Sequence, residues 1–187
     1  MRRESHVRFR EGAGVRFPRA TRLVVLCHSQ AEAEAALPAV RGVLAALGLT
    51  LSEEKTRIVH VEEASFTFLG YTFYRTYRFP SDRAMRRLRA KLRPVTRRQQ
   101  PQRLPAVIER VNPILRGWFQ YFQHSRRPTF EGVDGWVRMR LRSLLRKRSG
   151  RRGRGRGADH QRWPNAYFRE QGLYSLTAAH RLACRSL

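Results

Sequence analysis

The sequence has few cysteines and no long apolar run, and both absences exclude common protein classes. Its 187 residues include only Cys27 and Cys184, which are far apart and outside any Cys-x-x-Cys motif. This spacing argues against a disulfide framework or a zinc site and favours a reducing, cytoplasmic location. The apolar run at 23–27 has a strand's length, whereas a membrane-spanning helix needs about 20 residues. The charged amino terminus is unlike a signal peptide, so no membrane partner is expected.

Acidic residues and lysines are also scarce. Asp and Glu number 14 against 39 Lys and Arg, for a net charge of +25, and only three of the basic residues are lysines. Residues 83–103 and 138–156 each contain nine or more basic residues and no acid. Such stretches need a polyanion or remain solvated, and arginine suits bidentate phosphate contacts. GC-rich coding is an alternative explanation for the choice of arginine, but the charge itself indicates a nucleic-acid partner.

The first eighty residues show strand patterns around one helix. Residues 1–22 follow no period and predict a loose basic lead-in, whereas 23–27 predict a buried strand. Ser29 and Glu32 form a capping box that opens a helix, which Pro38 should kink or shorten and Gly48 should close. Further strands are expected near residues 58–61 and over 66–74, where the aromatic residues fall mainly on even steps.

Beyond residue 80 the apolar period becomes helical. Three helices are predicted from apolar residues that run from Met85 to Val95, from Pro105 to Phe122 and from Phe130 to Leu144, and Pro113 should bend or divide the second one. Residues 149–160 are a low-complexity basic segment that predicts a linker without packing residues. The aromatic segment after it should dock back as a short helix and turn. The predicted fold class is α+β: short antiparallel strands plus one helix, followed by an all-α basic module.

Several short motifs, in this order and spacing, resemble one known family. They are Glu54-Lys55-Thr56, FLGY at 68–71, Asn112-Pro113 followed by RGWFQYF at 116–122, and Trp136-Val137. The series is similar to the carboxy-terminal half of bacterial group II intron reverse transcriptase–maturases. With the composition, it predicts a lead-in at 1–22, a partial reverse-transcriptase palm at 23–80, a thumb and maturase-specific helical domain at 81–148, and a Gly/Arg linker with an aromatic segment at 149–187.

The resemblance implies two sites in the palm segment. Phe68, Leu69, Gly70 and Tyr71 resemble the primer grip, a strand and turn that hold the 3′ end of the primer. Gly70 suits that role because a backbone without a Cβ allows close approach, although a glycine in an ordinary hairpin is equally natural. Lys55 and Thr56 together resemble a palm loop whose lysine faces nucleotide phosphates, and a surface lysine is the alternative.

The resemblance also implies that residues 81–148 bind the intron RNA that encodes the family. Trp118 and Phe119 are assigned to the helical core. Polar-tipped side chains beside a core stripe can stack on or hydrogen-bond to unpaired bases. The predicted RNA-contact residues are Arg86, Arg89, Arg93, Arg97, Arg98, Arg116, Tyr121, His124, Arg126, Arg138, Arg142 and Arg146.

The catalytic aspartates of this family have no counterpart in the sequence. Reverse transcriptases hold two cations about 3.5–4 Å apart with adjacent aspartates, in a Tyr-Ala-Asp-Asp motif before the apolar strand. Those positions here read RATR, so Thr21 and Arg22 replace the pair, and no aspartate precedes Asp82. We predict no catalytic residue, metal site or cofactor for this chain alone, although the intact family uses Mg²⁺. The chain alone should not copy RNA into DNA.

Three interpretations of function stay open from the sequence. The first is a truncated maturase that binds group II intron RNA and assists splicing by stabilising the folded RNA. The second is half of a split RNA-directed DNA polymerase, completed by a separate fingers-palm chain; Thr21 and Arg22 count against it. The third is a degenerate fragment without function. Besides RNA, the protein partners considered are a separate fingers-palm chain and a second copy of this chain in a homodimer.

Overall fold

The computed structural model describes residues 5–10 and 22–185, with side chains from residue 23 onward. The chain divides into two compact units, Met1–Arg78 (unit 1) and Phe79–Leu187 (unit 2). Together they contain antiparallel strands and several helices, so the protein is α+β. None of the helices in the described ranges combines the length and the apolar character needed to cross a bilayer.

Unit 1 begins with a three-stranded antiparallel sheet in the order β2-β1-β3, formed by β1 (Ser5–Arg10), β2 (Arg22–Cys27) and β3 (Arg57–Val59). The central strand β1 pairs with both neighbours along its length. The prediction of a loose lead-in over residues 1–22 is therefore wrong for residues 5–10, which form β1. Residues 1–4 and 11–21 lie outside the described residues. The alternation of Val7 and Phe9 with polar neighbours is the sequence signal that could have predicted β1.

Helix α1 (Gln30–Ala46) begins at the predicted cap. Ser29 Oγ accepts a hydrogen bond from the Glu32 N–H at 3.2 Å, and the Glu32 carboxylate accepts one from the His28 N–H at 2.7 Å. The prediction that Pro38 shortens the helix is wrong, because the helix runs through it. Pro38 and Glu34 are both exposed, so water can satisfy the Glu34 carbonyl that loses its partner.

The predicted strand over 66–74 is a hairpin rather than one strand. Strands β4 (Phe66–Phe68) and β5 (Tyr71–Tyr74) form a second sheet with β6 (Tyr77–Pro80), in the order β4-β5-β6. Leu69 and Gly70 have φ angles of 46° and 81° at the turn. This turn requires a left-handed backbone at both positions, which glycine adopts without steric cost.

Unit 2 is helical, and its three long helices, α2 (Asp82–Val95), α3 (Leu104–Phe122) and α4 (Arg127–Arg148), confirm the predicted pattern. Helix α3 continues through Pro113, contrary to the predicted division. Three shorter helices follow: α5 (Ala158–Arg162), α6 (Asn165–Glu170) and α7 (Leu176–Ala183). All six except α5 contribute residues to one apolar core.

The carboxy-terminal segment docks on this core, as predicted. Phe168 and Leu176 are fully buried in it. Asn112 of α3 donates from Nδ2 to the Gly172 carbonyl at 2.8 Å and accepts from the Tyr174 N–H at 2.9 Å. These two bonds fix the turn between α6 and α7 on the side of α3. The Asn112-Pro113 motif thus has a structural role.

Candidate nucleic-acid interface

An exposed row of arginines follows one side of α2. Leu88 and Leu92 are buried on the opposite side of the helix. Because the arginines recur at three- and four-residue steps, they share one face of the helix and continue into the turn after it. We call Arg86, Arg89, Arg93, Arg97 and Arg98 the arginine face; all five are exposed. This surface is available to a polyanion.

Arg140 of α4, which the sequence reasoning missed, ties α4 to the end of α2. Its guanidinium donates to Thr96 Oγ1 at 2.6 Å and to the carbonyls of Arg93 and Thr96 at 3.2 Å each. It also lies 5.2 Å from the ring centroid of Trp136. Burial, followed by the charges of Arg93 and Arg98, lowers the pKa of Arg140. A fixed positive charge therefore stands beside the arginine face.

A groove of about 580 Å³ opens next to Arg140. Its lining comes from the turn after α2, from α4 and from the loop that follows α4, and it includes no acidic residue. We call it the basic groove; its cationic lining residues are Arg97, Arg98, Arg140, Lys147, Arg151 and Arg152. Two of the six, Arg97 and Arg98, also belong to the arginine face. The sequence placed 97 and 98 in the contact set but not the other four.

The glycine- and arginine-rich segment after α4 is ordered against that helix, contrary to the predicted linker. Gly155 is buried, and a Cβ at this position would lie 2.8 Å from the Cβ of Arg142. Its N–H donates to Ser143 Oγ at 3.2 Å. Only glycine allows this approach of the backbone to α4. The segment thus forms a wall of the basic groove.

Asp159 holds the far end of this segment. It is fully buried, pairs with Arg146 at 2.6 Å and accepts from the Arg156 N–H at 3.0 Å. The Arg156 hydrogen bond lowers the pKa of Asp159, with help from Arg146, against the opposing effect of burial. Arg146 also donates to the Arg152 carbonyl at 2.8 Å. The pair therefore sets the path of residues 152–159 across α4.

Two predicted RNA-contact residues, Arg142 and Arg146, require correction. Arg142 is 3% exposed and donates to the Trp163 carbonyl at 2.9 Å and to Asn165 Oδ1 at 2.8 Å. Burial, followed by the charge of Arg138, lowers the pKa of Arg142. The guanidinium of Arg146 is engaged by Asp159 and the Arg152 carbonyl. Both arginines join α4 to the segment that covers it, so neither belongs to an exposed contact surface.

Arg138 is intermediate between the exposed residues of the arginine face and the engaged Arg142 and Arg146. It is partly buried and lies 3.9 Å from the carboxylate of Asp134, at a side-chain exposure of 21%. Asp134 itself accepts hydrogen bonds from Ser175 Oγ, Leu176 N–H and Thr177 N–H at 2.8–3.1 Å. These bonds cap α7. Part of the Arg138 charge is therefore offset within the protein.

The aromatic stretch of α3 divides between core and surface. Phe119 is buried and Trp118 packs against the core, as expected. Tyr121, His124 and Arg126 are exposed. Arg116 is exposed with its guanidinium 4.7 Å from the ring centroid of Tyr174, so a cation–π contact orients it. These four predicted contact residues lie at the surface, apart from the lining of the basic groove.

The residues that resemble palm sites lie in unit 1. Phe68, Leu69, Gly70 and Tyr71 form the tip of the β4–β5 hairpin. Lys55 ends a short 3₁₀ turn, and Thr56 donates from its hydroxyl to the Ser52 carbonyl at 2.8 Å. Both residues are partly buried. The geometry is that of a tight hairpin and a capped turn, and the two sites stay predictions.

The structure describes only one of the two positions at which the family has its catalytic aspartates. Thr21 lies outside the described residues, and Arg22 is the first residue of β2. In the part of the chain that the structure describes, no three His, Cys, Asp or Glu side chains gather as a metal site.

The comparison with protein families matches the helical unit. Residues 85–163 fit the model of the group II intron, maturase-specific domain. No curated protein is significantly similar to the chain. The matched range begins in α2, includes α3 and α4 and ends at Trp163, beyond the folded Gly/Arg segment. The match confirms the predicted resemblance for this part of the chain: residues 85–163 are similar to the maturase-specific domain of group II introns.

Proposed function

We propose that unit 2 binds group II intron RNA through the arginine face and stabilises its folded form, assisting splicing. The observation that carries the proposal is the exposed row of arginines on α2, within the range that matches a maturase-specific domain. Arg116, Tyr121, His124 and Arg126 extend the proposed surface with groups that can contact bases. Arg142 and Arg146 are left out because they hold the protein together.

The proposed activity is binding and needs no chemistry from the protein, because the intron RNA supplies its own catalysis. The electrostatic support is direct: phosphates dominate nucleic-acid affinity, and this chain carries a charge of +25. Chemistry is not assigned because the family's aspartate positions are Thr21 and Arg22.

Filter binding of a structured intron RNA between 50 and 200 mM salt tests the proposal. A protein that neutralises six to ten phosphates should lose roughly 10³–10⁵ in affinity over this range. A flat response would contradict phosphate contact as the source of affinity. An unrelated structured RNA of equal length measures how much of the binding is specific to the intron.

A pair of matched variants assigns the binding to the arginine face. Replacing Arg86 and Arg93 by Ala should reduce the slope of log affinity against log salt by about 2, one unit for each lost phosphate contact. The control, Arg169→Ala with Arg181→Ala, removes the same charge from exposed positions on α6 and α7. Equal losses in both variants would mean that net charge, and not this face, binds the RNA.

A further inference from the structure

We infer that the basic groove is a site for closely spaced phosphate groups, at least two within one compact ligand. This chemistry is shared by a sharply bent RNA backbone and by a free polyphosphate. The inference deepens the proposed function, and it rests on that function only where RNA is the ligand. The arginine face would contact phosphates one at a time along an RNA strand. The basic groove would instead hold several neighbouring phosphates together.

The number of charges in the groove is the first argument. Six cationic side chains line about 580 Å³, and none of the lining residues is acidic. The volume lies within the range of sites for small molecules. One phosphodiester carries a single negative charge and would leave most of these cations unneutralised. Two or three adjacent phosphates in the same volume would neutralise a larger share of them.

The second argument is that the protein leaves this charge uncompensated. Two buried carboxylates of unit 2 are committed elsewhere, since Asp159 pairs with Arg146 and Asp134 caps α7. Among the described residues, no side-chain hydrogen bond or ion pair engages Arg97, Arg98 or Arg152, and Arg151 interacts with Asp159 only through its charge. The lowered pKa of Arg140, caused by burial and then by Arg93 and Arg98, is consistent with a region of strong positive potential.

The third argument is preorganisation of the walls. Arg140 is held by three hydrogen bonds to residues 93 and 96. Arg148 donates to the carbonyls of Gln100 and Gln102 and so binds the α2–α3 connection to the end of α4. On the other wall, Arg146 holds the Arg152 carbonyl. A site whose backbone is already fixed loses less entropy when a ligand binds.

Isothermal titration calorimetry of the full chain with inorganic tripolyphosphate, at 150 mM salt and pH 7, tests the inference. Orthophosphate and sulfate serve as single-anion comparators. We expect tripolyphosphate to bind at least about a hundredfold more tightly than either, because two further charge-assisted contacts form and each contributes about tenfold. Equal affinity for tripolyphosphate and orthophosphate would overturn the inference, while the salt-dependent RNA binding would still test the proposed function.

The test variant is Lys147→Ala with Arg152→Ala, two groove residues outside the arginine face, and the control is Arg169→Ala with Arg181→Ala. The first pair lines the groove without side-chain hydrogen bonds to the rest of the protein, so folding should be kept. It should weaken tripolyphosphate about a hundredfold, and the control less than about threefold. Amide exchange of residues 149–157 should slow on addition of tripolyphosphate in the wild type and in the control variant, but not in the groove variant. Equal losses in the two variants, or no protection of that loop, would contradict a localised site.

Competition identifies the source of the phosphates. If tripolyphosphate displaces intron RNA, and the Lys147/Arg152 variant binds both ligands more weakly, the RNA backbone occupies the groove. If tripolyphosphate binds but RNA affinity is unchanged in the variant, the groove is a site for a free polyphosphate. In that case the inference about the groove is supported, and the RNA binds at another surface. If the chain does not bind intron RNA at all, the proposed function is contradicted, whatever the result with tripolyphosphate.

Discussion

The two units of this protein organise their apolar residues in different ways. In unit 2, sixteen buried residues form one core that includes α2, α3, α4 and the docked carboxy-terminal helices. In unit 1, the described side chains bury apolar residues in two small clusters, one around Cys27 and Ala33 and one around Val59, Val61 and Phe66. Among the described residues, unit 1 exposes six large apolar side chains, including Leu26 and Leu47, whereas unit 2 exposes two, Tyr121 and Leu182.

The difference indicates where stability and binding are located. A helical core built from local contacts can support a highly charged surface, because burial offsets the repulsion among the arginines. Small clusters supply less of this stabilisation, and exposed apolar groups favour association with other surfaces. We therefore expect unit 2 to be the stable, RNA-binding part and unit 1 to open at lower denaturant concentration.

Removing a large, fully buried side chain from the core of unit 2 should remove the stability advantage that we expect of this unit. Phe130 is fully buried, with its ring centroid 5.4 Å from that of Phe119 and 4.8 Å from that of His180. Phe130→Ala should cost about 3–5 kcal/mol of unfolding free energy. Hydrogen exchange of the full chain in increasing urea measures this loss separately for each unit.

Phe73→Ala is the matched control in unit 1, where Phe73 stacks on Phe66 at 5.0 Å between centroids. It should lower the protection of unit 1 and leave that of unit 2 unchanged. If Phe73→Ala destabilises unit 2 as much as Phe130→Ala does, the two units unfold together and the comparison fails.

The next largest effect should follow loss of the cap on α7. Asp134 is buried and accepts three hydrogen bonds from residues 175–177, so Asp134→Ala leaves a buried helix end without its acceptor. We expect a loss of about 2–3 kcal/mol, measured by urea unfolding. Asp134→Asn keeps one acceptor oxygen and should recover part of it. A loss below about 0.5 kcal/mol would mean that α7 adds little to unit 2.

The helices of unit 2 were predictable because each carries one apolar stripe against one core. Leu88 and Leu92 on α2 are buried at the predicted spacing. The same reasoning was wrong for the other side of α4. Arg142 lies opposite the apolar residues of this helix and was therefore predicted to be exposed, but it is buried. Residues 152–159 pack on α4 through the Gly155 backbone, the buried Asp159–Arg146 ion pair and the Arg152 carbonyl rather than through apolar side chains. Hydrophobic periodicity contains no signal for such packing.

The strands of unit 1 were less predictable for a different reason. β1 and β6 are defined by their partners in a sheet, and a run of four to six residues gives too few repeats for a pattern to be decisive. In the candidate interface, the exposed arginines of α2 followed from helical spacing alone. The basic groove did not, since Arg140 and Arg152 come together only when the loop after α4 folds back.

Acidification should lower the unfolding free energy of unit 2 through Asp159. Its pKa in the folded state is lowered from the ordinary value of 3.8. The ionised carboxylate therefore contributes stability above that value, and the contribution is lost as pH falls through the lower, folded-state pKa. Asp159→Asn should be less stable than wild type at pH 6, and the gap should narrow below about pH 4.

Thermal unfolding between pH 6 and pH 2.5 measures that gap. Glu109→Gln, which removes one exposed carboxylate from α3, corrects for the change in net charge. A gap between Asp159→Asn and wild type that is constant with pH would mean that Asp159 acts through packing rather than through its ionised form.

The smallest effect concerns the exposed apolar residues of unit 1. Leu26 and Leu47 are 61% and 69% exposed, so replacing both by Ser should change the unfolding free energy by less than about 0.5 kcal/mol per site. Light scattering should fall because less apolar surface is available for association. Leu37→Ser is the matched control, since Leu37 packs against the Cys27–Ala33 cluster and its loss should destabilise unit 1. If the Leu26/Leu47 variant is destabilised as much as Leu37→Ser, Leu26 and Leu47 are buried in solution. Unit 1 would then have a larger apolar core than its two small clusters.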